Sequence, residues 1–401
     1  MRTFDWHSES QAAVLCANAP LDRKTDRATQ LHAAPSIRVT GAWLRPRRLM
    51  SILGSVGLVA GLLAPSAGSA LADSAPPRAL TVMTRNMDEG TDFGYIAQAT
   101  PATLGQAAAA TYLEVLASDV CGRAGRIADE IAAAQPDLVS LQEVSRWTGP
   151  VPSLCAGTMT TTIDAQTALM AQLATDGARY VVVKGQDELS SAGIPGLGSL
   201  SFLDRDLLLA RVEPAGQLAL ANATSANFAN IVSLPLAPGL TLPIKRGWIS
   251  VDATTRGSTV RVIATHLEGS FQPVQLAQAQ ELIAGPANTR LPVILAGDLN
   301  TGPGSAFVST YDWLTSPVGG RLLDTWSVTQ AGEPGFTDAY YTEDPLTAST
   351  PTERIDLVLV RGHLAPTADE LVRISLPHPS DHAGLVATVG ISIVLSELAG
   401  G

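Results

Sequence analysis

Carboxylate, carboxamide and imidazole groups recur at the edges of short apolar runs in this chain. ALTVMTRNM reaches Asn86, and PDLVSLQEV is almost wholly apolar until Gln142-Glu143. TVRVIATHLE reaches His266. LPVILAGDLN ends in Asp298-Leu299-Asn300, where the period of two puts Asp298 and Asn300 on one side of an extended chain. RIDLVLVRG carries Asp356 near its start, and PSDHAGLVATV has Asp381-His382 just ahead of its apolar part. Singly, each group has an ordinary explanation as a solvated turn residue or turn chemistry. Together they form a usable set. Only four histidines (His266, His363, His378 and His382) lie beyond residue 72, and two of them fall in these clusters.

The chemistry that such a set fits is hydrolysis of phosphate esters. These esters are protected by their negative charge and hydrolyse extremely slowly unaided. A catalyst must neutralise the phosphate, prepare a water for in-line attack and stabilise the leaving oxygen. A hard cation held by few carboxylates does the first, as Mg²⁺ does while keeping several waters. Glu143, Asn86 and Asp381 are suitable oxygen donors. Asn300 can donate a hydrogen bond to phosphoryl oxygens, and His382 handles a proton near neutral pH. A carboxylate such as Asp356 can fix the His382 tautomer and raise its basicity.

The apolar runs themselves predict the elements that hold these groups. Strands are expected at Leu80–Thr84, Asp137–Leu141, Tyr180–Val183, Asp206–Ala210, Thr259–Ala264, Pro292–Ala296, Ile355–Val360 and Leu385–Val389, on length and β-branched content. Helical spacing appears at Gly122–Gln135, Thr162–Ala174 and Pro273–Ala284. Strands with helices interspersed, but without regular βαβ alternation, predict a mixed sheet packed by helices. The glycine-rich stretch Ser190–Ser201 reads as a loop.

The ordered set N…QE…TH…GDLN…RID…SDH resembles the endonuclease/exonuclease/phosphatase superfamily, whose best-known members are similar to pancreatic deoxyribonuclease. The resemblance runs from Leu80 to about Val389. It implies an α/β fold, a four-layered sandwich of two mixed sheets flanked by helices, and Mg²⁺ (with Mn²⁺ or Ca²⁺ as alternatives) in a phosphoester hydrolase. It implies Glu143 as the main metal carboxylate, with Asn86 as a metal or water contact beside it. By the same resemblance Asp298 is the nucleophile-orienting base within the Asp-x-Asn pair completed by Asn300. Asp381-His382 matches the terminal Asp-His, Asp356 the acid paired with that histidine, and His266 the second histidine of several members. In nuclease members a carboxylate supports that second histidine; Asp204 and Asp206 both qualify here.

Charge and composition narrow the substrate. The chain has 401 residues, 46% hydrophobic and 16% charged, enough for a large buried core. Arg45, Arg47 and Arg48, an uncharged run from Leu49 to Ala64 and Ala70-Leu71-Ala72 together read as a secretory leader cleaved after Ala72. Residues 1–72 are therefore expected to be an extension and signal peptide, and 73–401 the catalytic domain, a monomer without a stable membrane span. Setting aside the eight Lys/Arg and four Asp/Glu of residues 1–72 leaves 18 basic and 33 acidic residues, a formal charge of −15. Such a surface does not attract polyanions by itself. Arg146, Arg205, Arg246 and Arg354 lie scattered beside the motifs without forming a basic run. A nucleic acid and a phospholipid or sphingomyelin both stay open as the phosphoester. An inositol-phosphate phosphomonoesterase and an inactive binding protein on the same scaffold are the alternatives. Trp147 and the apolar residues of the glycine-rich loop offer a lipid-contact reading, against ordinary core packing. Cys121 and Cys155, an even pair in an exported chain, are expected to form a disulfide.

Overall fold

The computed structural model describes residues 79–191, 200–214, 217–237, 240–340, 349–372 and 376–392. The expected leader, its expected cleavage site and residues 192–199 of the glycine-rich stretch lie outside the described residues. The chain opens with β1 (Ala79–Asn86), α1 (Gly94–Ala97), α2 (Leu104–Ala117), α3 (Val120–Ala134), β2 (Leu138–Gln142), β3 (Arg146–Cys155), β4 (Thr158–Asp164) and α4 (Ala165–Thr175). There follow β5 (Tyr180–Ser190), β6 (Ser201–Arg211), β7 (Ala219–Asn227), β8 (Val232–Ala237), β9 (Leu240–Ile244), β10 (Gly247–Thr255) and β11 (Ser258–His266). The last elements are α5 (Gln272–Ala284), β12 (Val293–Asp298), α6 (Val308–Thr315), β13 (Leu323–Asp324), α7 (Thr325–Thr329), β14 (Asp356–Arg361), β15 (Leu364–Val372) and β16 (Gly384–Ile391).

Two large mixed sheets result. One runs β15-β16-β1-β2-β6-β3-β4, with β5 also paired to β6; the other runs β13-β14-β12-β11-β10-β7. The pairs β1–β2 and β11–β12 are parallel, whereas β1–β16 and β12–β14 are antiparallel.

The period of two along each strand divides the core into three layers. Met83, Val139, Leu141 and Leu209 face Ile127 and Ile131 of α3 and Leu169 and Leu173 of α4. Their neighbours Val82, Leu138 and Leu208 face the opposite way, onto Val251, Val262, Ile294 and Val358 of the second sheet. That sheet's outer face puts Ile263, Leu295 and Leu357 against Ala279 and Leu282 of α5 and Leu314 of α6. The product is the four-layered α/β sandwich. Leu208 is fully buried between the sheets, and truncation to Ala there costs about 2–5 kcal/mol in transfer and cavity terms.

Each run expected to be a strand lies on one, and α3 and α5 match their predicted helices within two residues at each end. The helix expected over Thr162–Ala174 starts later. Thr162–Asp164 finish β4, and the Asp164 carboxylate caps α4 by accepting the Gln166 and Thr167 amides at 3.0 and 3.3 Å. Trp147 is buried against Phe93 and Phe202, with its indole N–H donating to the Glu89 carbonyl at 3.0 Å. It therefore packs in the core and offers no exposed ring to a lipid. Cys121 of α3 and Cys155 of β3 are joined in a disulfide. Among the described residues no helix is long and apolar enough to cross a membrane.

Candidate active site

Strand register does the first part of the positioning. In the second sheet Gly247, His266, Asp298 and Asp356 are successive partners across β10, β11, β12 and β14. In the first, Asn86 is partnered with Gln142 where β1 and β2 end, so Glu143 leaves the sheet beside Asn86. Asp381 and His382 arrive on the segment before β16.

Two buried arginines fasten these loops. Arg85 pairs with Glu130 at 2.9 Å and donates to the His382 carbonyl. Arg123 donates to the carbonyls of Met87 (2.8 Å), Asp88 (3.0 Å) and Pro379 (3.2 Å). It thus ties the loop after β1 to the loop before β16. Buried guanidinium groups would be costly unless every edge found acceptors, and here carbonyls supply them.

Asp298 occupies the centre. Its Oδ2 accepts from Asn86 Nδ2 at 3.0 Å, and its Oδ1 accepts the Asn300 amide at 2.9 Å. His266 Nε2 lies 3.5 Å and His382 Nε2 4.0 Å from Oδ2. Burial, then the neighbouring Asp356, push the Asp298 carboxyl up to about 7, the range that suits a general base at neutral pH.

The two histidines receive opposite treatment. His382 Nδ1 donates to Asp356 Oδ2 at 2.7 Å. Burial disfavours charge on this ring, but Asp356 and then Asp381 outweigh it and hold the pKa well above the usual histidine range. Its Nε2 faces Asp338 Oδ1 at 3.7 Å. For His266, burial, Arg246 and His382 all push the pKa well below the usual range. Arg246 Nη1 donates to His266 Nδ1 at 2.9 Å. The expected carboxylate partner is therefore displaced: Asp206 stands 4.0 Å from that nitrogen, and Asp204 instead lies 3.5 Å from Arg246.

Glu143 sits in the left-handed region (φ 56) just after β2. It accepts Asn86 Nδ2 at 2.9 Å and the Glu89 amide at 3.2 Å. With Asp88, Glu89, Asp92, Glu114 and Asp381 it lines a cavity of about 190 Å³. Burial, then Asp88, push the Asp381 carboxyl up to about 8, and Glu143 adds to the rise. So many carboxylates with little opposing charge suit a hard divalent cation bound through oxygen. Asn86, expected as a metal or water contact, also has a positioning part in the protein itself. Its oxygen accepts the Asp88 amide at 2.9 Å while its nitrogen bridges Glu143 and Asp298, so it orients both carboxylates. Asn300 is also in the left-handed region (φ 50), with Nδ2 donating to the Leu267 carbonyl at 3.0 Å. A Cβ at Gly269 would come within 2.8 Å of its Oδ1, so glycine leaves room for this carboxamide.

All eight residues singled out in the sequence thus fall in one connected cluster. Asp88, Glu89, Asp338 and the positioning arginines Arg85 and Arg123 were not foreseen, and Arg246, noted only as an arginine beside the motifs, had been given no role. The only signals for them are the Asp88-Glu89-Gly90 turn after β1 and the Arg246-Gly247 step into β10.

A family model described as endonuclease/exonuclease/phosphatase family matches residues 116–382. A family protein of that description from Leptotrichia buccalis superposes with a TM-score of 0.50 at 13% identity, over 78% of this chain and 100% of that one. An endonuclease/exonuclease/phosphatase from Beutenbergia cavernae gives 24% identity and a TM-score of 0.48, over 79% and 72% of the two chains. The human Nocturnin catalytic domain, solved with a bound sulfate, gives 19% and 0.46, over 79% and 94%. No curated protein matches the chain.

Proposed function

From the premise that this chain belongs to the endonuclease/exonuclease/phosphatase family, we propose that it is a secreted, divalent-metal-dependent phosphodiesterase whose catalytic domain spans residues 73–401. Asp298 accepts a proton from the attacking water, and its pKa of about 7 suits that task at neutral pH. His382, charged through Asp356, donates from Nε2 to the phosphoryl group as negative charge builds on it. His266 offers a second, neutral donor from the other side of Asp298. Asn86 holds Glu143 and Asp298 in fixed relation. Glu143 and Asp381 would hold Mg²⁺, or Mn²⁺ or Ca²⁺ in its place, which when bound supplies positive charge to the phosphate.

The observation that carries this reading is the placement of a near-neutral carboxylic acid, Asp298, beside two imidazoles with opposite pKa shifts. The cavity beside Glu143 has acidic but no basic side chains among its described lining residues. That favours a compact or lipid-type phosphodiester over a long polyanion. The disulfide supports export, since such bonds persist in oxidising compartments.

The test is a panel of plasmid DNA, RNA, sphingomyelin, phosphatidylinositol phosphates and a chromogenic phosphodiester, with Mg²⁺, Mn²⁺ and Ca²⁺. Turnover of a diester that chelation abolishes, and that Asp298→Asn lacks, is expected. Activity on monoesters alone, or none on any substrate, sinks the proposal. N-terminal sequencing of the exported protein should begin at Asp73; finding residues 1–44 would defeat the leader assignment.

A further inference from the structure

We infer that Arg246 is a positioning residue that confines the His266 proton to Nε2, making this histidine a hydrogen-bond donor and barring it from ligating the metal. The kinetic part of this inference rests on the phosphodiesterase reading; the tautomer does not. A guanidinium has donors and no acceptor. Its Nη1 lies 2.9 Å from His266 Nδ1, so that nitrogen must present its lone pair. A neutral imidazole carries one proton, which is then on Nε2, 3.5 Å from Asp298 Oδ2.

The consequence reaches the metal. Glu143, His266 and Asp298 each bring a ligand atom within 4.8 Å of the others, a grouping that distance alone would accept as a cation site. A metal would need the Nε2 lone pair, and in this tautomer Nε2 has none to give. The cation is left to the oxygen donors on the Glu143–Asp381 side.

Arg246 is itself held for this task. Asp204 Oδ2 lies 3.5 Å from Nη1, and Glu188, Glu143 and Glu268 add their attraction. Oxygens of Glu188, Asp204, Asp206 and Glu268 are buried without hydrogen-bond partners. This acidic surround keeps a cation in place beside a histidine that burial keeps neutral. A Cβ at Gly247 would lie 2.9 Å from Glu188 Oε1 and 2.7 Å from the Ala226 carbonyl, so glycine lets β10 approach Glu188 here.

Ring nitrogens of ¹⁵N-histidine-labelled full-length protein report the tautomer directly, with His266→Gln identifying the signal. The expected spectrum has an unprotonated Nδ1 and a protonated Nε2 for His266, unchanged on adding Mg²⁺. Arg246→Met should shift the pair toward Nδ1–H, and Arg246→Lys, which keeps a cationic donor, should restore it. On the diester found by the panel, Arg246→Met should lower kcat about 10–100-fold, as loss of a group that orients another commonly does. An Nδ1–H tautomer in the unaltered protein, or loss of the Nε2 proton on adding Mg²⁺, overturns the inference whether or not any variant folds. So does an Arg246→Met protein, shown folded by circular dichroism, with the ring signals unmoved. If the panel finds no diester but the ring pattern is as expected, the functional proposal fails and the assignment of Arg246 stands.

Discussion

His382 and His266 flank the same carboxylate, yet one is built to carry charge and the other to refuse it. Both rings are buried, which alone would make both neutral. On the β14–β16 side, Asp356 meets Nδ1 and the ring is held charged. On the β10–β11 side, burial holds the ring neutral and Arg246, meeting the same ring atom, adds to the effect instead of opposing it. The partner of Nδ1, rather than residue type or depth, decides what each imidazole can do.

The largest expected effect comes from removing the shared centre or its charged flank. Asp298→Asn and His382→Ala should each lower turnover by about 10²–10⁴-fold. Because members of one catalytic unit do not act additively, the double variant should be scarcely slower than either. A folded His382→Ala protein with near-normal turnover would break the comparison outright. Asp356→Asn removes only the partner, and should cost about 10–100-fold. His382 owes its raised pKa to that carboxylate, so in the variant the ring deprotonates at lower pH. The alkaline limb of kcat/KM should therefore move down, with activity at pH 8 suffering more than at pH 6. An unmoved limb would detach His382 charge from catalysis.

A smaller effect sharpens the comparison through stability. Asp298 and Asp381 titrate at about 7 and 8 in the fold, against about 3.9 when unfolded. The native state therefore keeps protons that the unfolded chain has released, and stability falls as pH rises through that interval. His382 has the same sign, being raised: its stabilisation is complete below about 6.5 and is lost as pH climbs through its folded pKa. His266, being depressed, acts oppositely, but only below about 6.5. Between about pH 6.5 and 8 the metal-free protein should thus lose Tm with rising pH, and Mg²⁺ should raise Tm more at pH 8 than at 6.5. A Tm that rises over this window would contradict the charge assignment of the cleft. The smallest effect on the site should come from Cys121→Ser with Cys155→Ser. Losing the bridge should cost about 3 kcal/mol of stability while turnover at 25 °C stays near normal. Two free thiols in the unaltered, unreduced protein would remove the premise.

The strands that carry the site were legible because they are buried on both faces and read as unbroken apolar runs, as in Leu138–Leu141 and Val293–Ala296. Elements with weaker patterns were not. α2 is rich in alanine, β3 contains Gly149, Pro150 and Pro152, and β10 mixes Ser250, Asp252 and two threonines into its run. Within the site, residues that sit at strand ends announced themselves, because a polar group after an apolar run is visible in one dimension. Arg246 did not, since what gives it meaning is the sideways pairing of β10 with β11. Asp338 lies outside the regular elements, where only the folded chain brings it to His382. The choice between Asp204 and Asp206 could not be made from sequence because the question omitted the guanidinium that stands at Nδ1.

The grip of Arg123 on both Asp88 and Pro379, together with the pairing of β1 against β16, has a bearing on biogenesis. Arg85 and the His382 carbonyl it holds are 297 positions apart, and Ala79 is aligned with Gly390 across the β1–β16 pair. During synthesis, everything up to β15 can emerge while the site still lacks its terminal aspartate, its charged imidazole and the strand that seats them. The proposed hydrolytic competence is therefore expected only once the segment leading into β16 has arrived and been clasped. A nascent or clipped chain ending before Pro379 is expected to lack the proposed activity.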